Sequence, residues 1–252
     1  MATPVNASVT KAFRILNAFT YAGEKLTLAQ LTARLDINVA TLHRFLLTLQ
    51  QVGAVVRTPD GAFELGLLLA DLGGRVSISD AMHSLAQPHV EALAQQFGET
   101  IHAAILDNDM VCYVAKGEGS RSLTVITHIG KRLPAYCTGL GKALLSQLDD
   151  TSLEGCIRQQ SFQRFTDKTT VSADALRHEL RLIRRRGYAV DDEEVETGLR
   201  CVAVAVPGVR PVRLAISLSA PTTRLNPGKI REVARALQQH AQEIEAKLAK
   251  AP

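Results

Sequence analysis

The chain has 252 residues, which suits two domains at roughly 100–200 residues each. Hydrophobic residues make up 46% of it and the net charge is +4, so the composition is that of a mildly basic globular protein, which fits a nucleic-acid partner without requiring one. The sequence shows no signal peptide and no apolar run of about 18–20 residues, which predicts a soluble cytoplasmic protein with no membrane span.

The first predicted helix begins at Ser8 and ends near Gly23. Its apolar face is predicted to consist of Val9, Ala12, Phe13, Leu16 and Phe19. Lys11 and Arg14 fall on the other side of this helix. They either reach DNA phosphates or form a solvated basic face, and the sequence leaves both interpretations open.

Residues 27–57 predict two short helices joined by a tight turn. Asn38 is a good capping residue for the second helix, in which Leu42, Phe45, Leu46 and Leu49 share an apolar face. Two helices joined by about four residues form a helix-turn-helix, whose second helix enters the major groove of DNA with its N-terminus first.

The other side of the second helix carries short or donor-bearing side chains. They are Val39, Ala40, Thr41, His43, Arg44 and Thr48. An ordinary helical hairpin that never contacts DNA is the alternative. Between residues 38 and 58, however, the ionisable side chains are His43, Arg44 and Arg57, with no carboxylate. Since a solvated helical face usually mixes both signs of charge, this segment favours DNA binding.

A β-hairpin, or wing, is predicted directly after the second helix. Val55-Val56-Arg57 and Ala62-Phe63-Glu64-Leu65 form its strands, and Pro59-Asp60-Gly61 forms its turn. Residues 1–65 are therefore predicted to be a winged helix-turn-helix DNA-binding domain. Its predicted DNA contacts are Lys11, Arg14, Val39, Ala40, Thr41, His43, Arg44 and Arg57.

Residues 66–97 are predicted to be a linker of two helices between the domains. The first is short and stops at Gly73-Gly74, and the second begins at Ser79-Asp80 and ends near Phe97. Pro88 lies inside the second helix and predicts a kink, because proline removes one backbone donor.

Residues 98–252 are predicted to be an α+β domain in which helices flank an antiparallel sheet. Alternating apolar residues predict strands at residues 101–106, 110–115, 123–127, 187–191, 201–206 and 212–219. Helices are predicted at residues 139–148, 152–158 and 173–186, and a last one begins at Asn226-Pro227.

Two of these strands place small residues on one face and bulky residues on the other. The small faces are Cys201, Ala203 and Ala205 on one strand and Ala215, Ser217 and Ser219 on the other. Such a sheet either leaves a hollow for a ligand or accepts a closely packed helix. Thr138-Gly139-Leu140-Gly141 opens a glycine-rich helix whose first amides suit a carboxylate, which favours a ligand site. Asp191 is expected to turn inward and accept a hydrogen bond from a ligand hydroxyl.

Catalysis and metal binding have less support in the sequence. The acidic run Asp191-Asp192-Glu193-Glu194 is expected to be a solvated loop rather than a metal site. Cys137 and Cys201 are the thiols nearest the predicted hollow, and neither has a histidine close in sequence. A cysteine-dependent small-molecule enzyme stays open as the alternative, and we predict neither a metal nor a cofactor.

Several short motifs follow one another along nearly the whole chain. They are Thr41-Leu42-His43-Arg44-Phe45-Leu46, Phe63-Glu64-Leu65-Gly66, Gly98-Glu99-Thr100, Gly130-Lys131-Arg132-Leu133-Pro134, Thr138-Gly139-Leu140-Gly141-Lys142-Ala143, Gly187-Tyr188-Ala189-Val190-Asp191-Asp192-Glu193-Glu194 and Gly198-Leu199-Arg200-Cys201-Val202-Ala203. In this order and spacing they resemble the IclR family of bacterial transcriptional regulators.

The resemblance implies a winged helix-turn-helix domain followed by a GAF-like effector domain. It also implies dimers, often associated into tetramers, on a pseudo-palindromic double-stranded operator, with small organic or aromatic acids as effectors. The family's effector contacts match Gly139, Leu140, Asp191, Leu199, Cys201, Ser217 and Ser219 of this sequence. We therefore predict a ligand-responsive transcriptional regulator of a catabolic operon rather than an enzyme.

One position departs from the family pattern. Many members carry a histidine after a Pro-Leu pair ahead of the glycine-rich helix, whereas this chain has Pro134-Ala135-Tyr136-Cys137. Tyr136 is counted among the predicted effector contacts, since tyrosine donates one hydrogen bond and offers a stacking face. Because it carries no positive charge, the identity of the effector stays open.

Overall fold

The computed structural model describes residues 5–75, 77–121, 127–208 and 213–248, and for residues 77–80 the backbone alone. The chain divides into two compact units, Met1–Ser77 and Ile78–Pro252. The predicted linker, residues 66–97, spans this division. Within the described ranges, no helix has both the length and the apolar character needed to cross a lipid bilayer.

The N-terminal unit is a winged helix-turn-helix. Its described elements are α1 (Ala7–Leu16), α2 (Leu28–Leu35), α3 (Val39–Gln51), β1 (Val55–Arg57), β2 (Phe63–Leu65) and α4 (Leu67–Gly73). Leu31 of α2, Leu42 of α3 and Phe63 of β2 are buried in one core cluster. The cluster fixes both helices and the wing to one another, which confirms the predicted fold of this unit.

Side-chain caps define the ends of α2 and α3. Thr27 accepts a hydrogen bond from the Gln30 amide, and the Gln30 side chain accepts one from the Thr27 amide in return. Asp36 ends α2 in the left-handed region with φ of 50°. Asn38 then caps α3 by accepting a hydrogen bond from the Ala40 amide over 3.0 Å. The turn between the helices therefore has the capping residues that the sequence indicates.

α1 ends earlier than predicted and presents a different side to the core. It stops at Leu16 rather than near Gly23, and Val9 and Phe13 are 54% and 61% exposed. Ile15, by contrast, is completely buried. The predicted apolar face was wrong at Val9 and Phe13 because this short helix carries two apolar stripes, and the core takes the one that contains Ile15.

The C-terminal unit contains a six-stranded antiparallel sheet in the order β5-β4-β3-β8-β7-β6. Its strands are β3 (Thr100–Asp107), β4 (Met110–Gly117), β5 (Arg132–Pro134), β6 (Ala189–Asp192), β7 (Leu199–Ala205) and β8 (Leu214–Pro221). Its helices are α5 (Ser77–Phe97), which begins at the division between the units, α6 (Gly139–Leu145), α7 (Asp150–Gln159), α8 (Ala173–Arg186) and α9 (Pro227–Leu248).

Helices cover both faces of this sheet. α5 and α9 pack with Ile101, Val202 and Ile216 into one core cluster. α6, α7 and α8 form a second cluster that includes Ala203 and Ala215. Ala203 follows Val202 and Ala215 precedes Ile216 along their strands, so their side chains point to the opposite face of the sheet. The predicted α+β architecture is thereby confirmed.

Several predicted elements differ in detail. The strand predicted at residues 123–127 lies outside the described residues except for Thr127, which is in no strand. β5 escaped prediction because three residues are too few to show an alternating pattern. α5 begins at Ser77 rather than at Ser79-Asp80, and it continues through Pro88 as one helix.

Candidate DNA-binding surface and effector cavity

The outer face of α3 is the candidate DNA-binding surface. Val39, Ala40, His43 and Arg44 are exposed on it, and Thr41 is half-buried. Leu42 and Leu46 on the inner side are completely buried, which holds the opposite side chains toward solvent. The predicted contact residues of α3 therefore share one accessible surface.

Lys11 and Arg14 lie beside the helix-turn-helix. The Lys11 ammonium is 5.8 Å from the centroid of the Phe45 ring on α3, within the range of a cation–π contact. A guanidinium N–H of Arg14 donates to the Leu35 carbonyl over 3.1 Å, so Arg14 also satisfies the C-terminus of α2. α1 thus holds two positive charges against α2 and α3.

Arg57 lies at the end of the first wing strand. It is exposed, and its guanidinium carbon is 5.9 Å from the ring centroid of Phe63, its partner in the β1–β2 register. The wing therefore presents a positive charge on a side chain that packs over an aromatic ring.

A cavity of about 90 Å³ lies at the sheet face that carries the small residues. Seven of the predicted effector contacts line it, namely Gly139, Leu140, Asp191, Leu199, Cys201, Ser217 and Ser219. Sequence reasoning missed His102, Tyr113, Thr127, Lys131, Leu133, Thr138, Val195 and Glu196. Strand pairing would have revealed His102, because it lies opposite Ser217, but this pairing cannot be inferred from one sequence.

Glycines let α6 approach β7 closely at Gly139 and the segment after β5 closely at Gly141. A Cβ atom at Gly139 would lie 3.5 Å from the Cβ atoms of Ala203 and Cys201, and one at Gly141 would lie 2.2 Å from the carbonyl oxygen of Ala135. The small residues of β7 thus accept a close helix, and a hollow remains beside it. The small-residue face therefore has both predicted roles, since it accepts a closely packed helix and also borders a hollow.

The first turn of α6 is partly satisfied by its own capping residue. The Thr138 hydroxyl accepts a hydrogen bond from the Gly141 amide and donates one to the Pro134 carbonyl, each over 3.1 Å. The Gly141 amide is therefore occupied. Gly139 and Leu140 are the residues of this turn that line the cavity together with Thr138.

His102 is a buried neutral imidazole in the cavity wall. Burial, with a smaller contribution from the charges of Lys116 and Lys131, lowers its pKa to about 3. Its Nε2 lies 2.8 Å from the Thr127 hydroxyl. Its Nδ1 is buried and has no hydrogen-bond partner among the described residues. The cavity wall therefore includes an uncharged imidazole at this position.

Asp191 is the buried carboxyl group of the cavity. Burial raises its pKa to about 7, against the opposing effects of the Lys142 charge and of the Glu194 amide, which donates to it over 2.8 Å. Near neutral pH this side chain therefore exists both as a hydrogen-bond acceptor and as a protonated donor.

The acidic run is only partly solvated. Asp191 and Glu194 are buried, and Glu194 forms an ion pair with the buried Lys142 of α6. Asp192 pairs with Arg200, and Glu193 pairs with Lys168. The expectation of solvation was wrong at Asp191 and Glu194, which are buried, whereas the Asp192 side chain is 48% exposed.

The two thiols near the cavity are not activated. Burial raises the pKa of Cys201 above its usual range, and the charge of Asp191 raises it further. Burial likewise raises the pKa of Cys137 to about 12. Since the thiolate is the nucleophile, both environments disfavour covalent catalysis.

Tyr136 has contacts apart from the cavity. Its ring is buried at 5.1 Å from that of Phe162, its hydroxyl donates to the Gln163 carbonyl over 2.5 Å, and burial raises its pKa to about 12. It is not among the described residues that line the cavity. The structure thus gives this side chain a packing environment instead of the predicted lining position.

Lys131 is the lysine among the residues that line the cavity. Burial lowers its pKa, while the Glu196 carboxylate raises it. A lining that combines a lysine with Thr138, Ser217 and Ser219 suits an occupant that carries a negative charge and further acceptors.

A winged helix-turn-helix followed by an α+β unit with a polar cavity is the construction of a ligand-sensing DNA-binding regulator. A family profile described as "IclR helix-turn-helix domain" matches residues 8–59, and one described as "Bacterial transcriptional regulator IclR C-terminal" matches residues 77–246. The chain belongs to the IclR family of transcriptional regulators.

Two relatives from Escherichia coli illustrate the similarity. The HTH-type transcriptional regulator XynR is 33% identical, over 94% of this chain and 94% of its own length. The HTH-type transcriptional regulator KdgR is 32% identical, over 96% of this chain and 92% of its own length. The chain is accordingly a transcriptional regulator and not an enzyme.

Solved structures agree with this assignment. The IclR of Thermotoga maritima superimposes with a TM-score of 0.71 at 28% identity, covering 96% of this chain and 98% of that one. A putative transcriptional regulator from Rhodococcus sp. RHA1 gives a TM-score of 0.72 at 31% identity, covering 97% and 99%.

Proposed function

We propose that α3 contacts base edges of an operator and that a small carboxylate in the cavity changes the affinity for that operator. Thr41, His43 and Arg44 are the side chains we assign to the bases. Lys11, Arg14 and Arg57 contribute phosphate contacts, which position the helix and make binding dependent on salt. The exposed, carboxylate-free face of α3 supports this part of the proposal.

The effector that we propose is a small hydroxy acid. Lys131 attracts its carboxylate, and Asp191, which both donates and accepts near neutral pH, bonds its hydroxyl. The observation that carries this assignment is the polar lining of the cavity, in which Lys131, Asp191 and Ser217 lie together. An IclR homolog from Microbacterium hydrocarbonoxydans, 23% identical to this chain with a TM-score of 0.75 over 97% of it, was crystallised with 4-hydroxybenzoate, which makes that compound the first probe.

We further propose that the protein acts in the cytoplasm on a catabolic operon, as a dimer or a pair of dimers. Helix-turn-helix regulators bind two half-sites about one helical turn apart, so a dimer implies a pseudo-palindromic operator. Residues 66–97 would connect the effector unit to the DNA-binding unit. The effector changes DNA affinity only if it binds two arrangements of the protein with different affinities.

The test is a double variant of the cavity, Ser217→Val with Ser219→Val. It replaces each hydroxyl with a methyl group and adds a second methyl, so the cavity loses two hydrogen-bonding groups and becomes smaller. We expect effector binding to weaken at least about tenfold, with operator affinity unchanged. Thr151→Val on the exposed side of α7 is the matched control. Calorimetric titration of each protein with 4-hydroxybenzoate and other hydroxy acids measures the effect, and full affinity in the double variant would refute the assignment.

A further inference from the structure

Three metal-ligating side chains meet between α5 and α9, on the sheet face opposite the cavity. They are His89 on α5 and His240 and Glu243 on α9. Within the described ranges, this is the one group of three His, Cys, Asp or Glu residues whose ligand atoms all lie within 4.8 Å of one another. The group takes no part in the DNA-binding surface or in the effector cavity.

The spacing of the three ligand atoms matches that of a metal site. The Nδ1 atoms of His89 and His240 are 3.0 Å apart, and the Glu243 Oε2 atom lies 3.6 Å from the first and 3.9 Å from the second. The circle through three points so spaced has a radius of about 2 Å. This equals the usual Zn–N and Zn–O distance of about 2.0–2.2 Å, so one ion can reach all three atoms with little movement.

Burial decreases across the group in a way that suits an open site. The His89 side chain is 7% exposed, that of His240 is 17% exposed and that of Glu243 is 47% exposed. The imidazoles are thus held inside the helix pair, while the carboxylate side faces solvent. Solvent can supply the remaining ligand of a four-coordinate ion.

Neighbouring groups orient the carboxylate. The Gln239 side-chain amide donates to Glu243 Oε1 over 3.2 Å, which leaves Oε2 directed at the histidines. Hydrogen bonds of this kind are how proteins fix a metal ligand in position.

Lys247 opposes metal binding and must move. Its ammonium lies 3.0 Å from His89 Nε2 and can only donate, so Nδ1 of His89 carries the ring proton and donates it to His240 Nδ1. When an ion binds Nδ1, that proton transfers to Nε2. Lys247 then turns away, which its flexible stem near the end of α9 permits.

We propose that His89, His240 and Glu243 bind one divalent transition-metal ion of the zinc class and so fasten α5 to α9. Two imidazole nitrogens and one carboxylate oxygen form a donor set that suits zinc-class ions. Magnesium and calcium prefer sites made of oxygen ligands alone. The alternative is that these three groups form only a hydrogen-bonded cluster and bind no ion. The experiment must distinguish this cluster from a metal site.

The experiment titrates the full chain, free of any affinity tag and dialysed against chelator, with zinc chloride in competition with a chromogenic chelator. We expect one equivalent of zinc per chain and a rise in Tm on its addition. His240→Ala and Glu243→Gln should each weaken binding at least about tenfold, since each removes a direct ligand. His178→Ala, which removes an exposed histidine on α8, is the control and should bind as the wild type does.

Glu243→Gln keeps the proposal testable if His240→Ala fails to fold, because Glu243 is the most exposed member of the group. Absence of stoichiometric zinc binding by the wild type would overturn the proposal. So would undiminished binding in a folded Glu243→Gln or His240→Ala protein, or equal loss in the His178→Ala control. Retention of operator binding by the variants would show that the DNA-binding unit is intact, independently of the zinc result.

Discussion

His102 on β3 lies directly opposite Ser217 on β8, and both side chains line the cavity. Ser217 in turn lies opposite Ala203 on β7. His102, Ser217 and Ala203 thus form one row across three strands. The small Ala203 side chain leaves space in front of the sheet, and His102 and Ser217 supply hydrogen-bonding groups next to that space. The cavity therefore follows from strand register combined with residue size.

The surface of α3 is tested by Arg44→Ala. Loss of a guanidinium that contacts a base or phosphate should lower operator affinity about tenfold or more while the fold is kept, since Arg44 is exposed. Gln51→Ala, an exposed substitution at the other end of α3, should leave affinity unchanged. Fluorescence anisotropy with labelled operator at fixed salt measures both, and equal affinities for the two variants would remove Arg44 from the contact surface.

Asp191 should make the stability of the protein depend on pH. Its pKa is about 7 in the folded chain, whereas the ordinary pKa of an aspartate is 3.8, so between these values the folded state binds more protons than the unfolded state. The free energy of unfolding should consequently fall as pH rises from about 4 to about 7. Asp191→Asn should remove this part of the slope. Urea unfolding followed by circular dichroism at several pH values measures it.

A matched substitution separates Asp191 from the other carboxyls. Asp174→Asn changes an exposed residue in the first turn of α8 and should keep the wild-type slope. If Asp191→Asn also keeps the wild-type dependence of unfolding free energy on pH, then the pKa of Asp191 in the folded chain is not raised. In that case Asp191 does not act as both a hydrogen-bond donor and an acceptor near neutral pH.

Gly139 and Gly141 should respond differently to alanine. Gly141→Ala places a Cβ atom 2.2 Å from the Ala135 carbonyl oxygen and should destabilise the C-terminal unit strongly. Gly139→Ala makes ordinary 3.5 Å contacts, so it should fold but narrow the cavity and weaken effector binding. Gly155→Ala meets no atom within 4 Å and should be neutral or stabilising by about 1 kcal/mol. Thermal unfolding and effector titration of the three proteins decide the order.

The buried pair of Lys142 and Glu194 should show strong coupling. Lys142→Met leaves a buried carboxylate without its cation and should cost about 3–5 kcal/mol of unfolding free energy. Adding Glu194→Leu removes the unpaired charge and should restore much of that loss. A double-mutant cycle by urea unfolding measures the coupling, and additive effects of the two substitutions would show that the charges do not interact.

Local patterns in the sequence predicted the helix-turn-helix well because its determinants are local. The Asn38 cap and the leucines of α3 act within one or two helical turns, and both have the predicted roles. α1 was harder, since its two apolar stripes compete and only the packed core decides that Ile15 is buried rather than Phe13.

The cavity was predictable in part. Strand alternation and glycine spacing identified Ser217 and Gly139, and the family resemblance added Leu199. His102 and Lys131 escaped because the structure places them at the cavity through long-range contacts that no local pattern encodes. Tyr136 shows the converse, since its hydroxyl bonds to the carbonyl of Gln163 in a distant loop.

The most direct test of regulation by a hydroxy acid is a mobility-shift titration of the full chain on the DNA that flanks its own gene. It is run at moderate salt, with and without 4-hydroxybenzoate and a panel of aliphatic and aromatic carboxylates. We predict a sequence-specific shift whose midpoint one class of hydroxy acid changes, and which Arg44→Ala weakens. A specific shift that no acid alters, while Ser217→Val with Ser219→Val behaves as the wild type, would contradict the role assigned to the cavity.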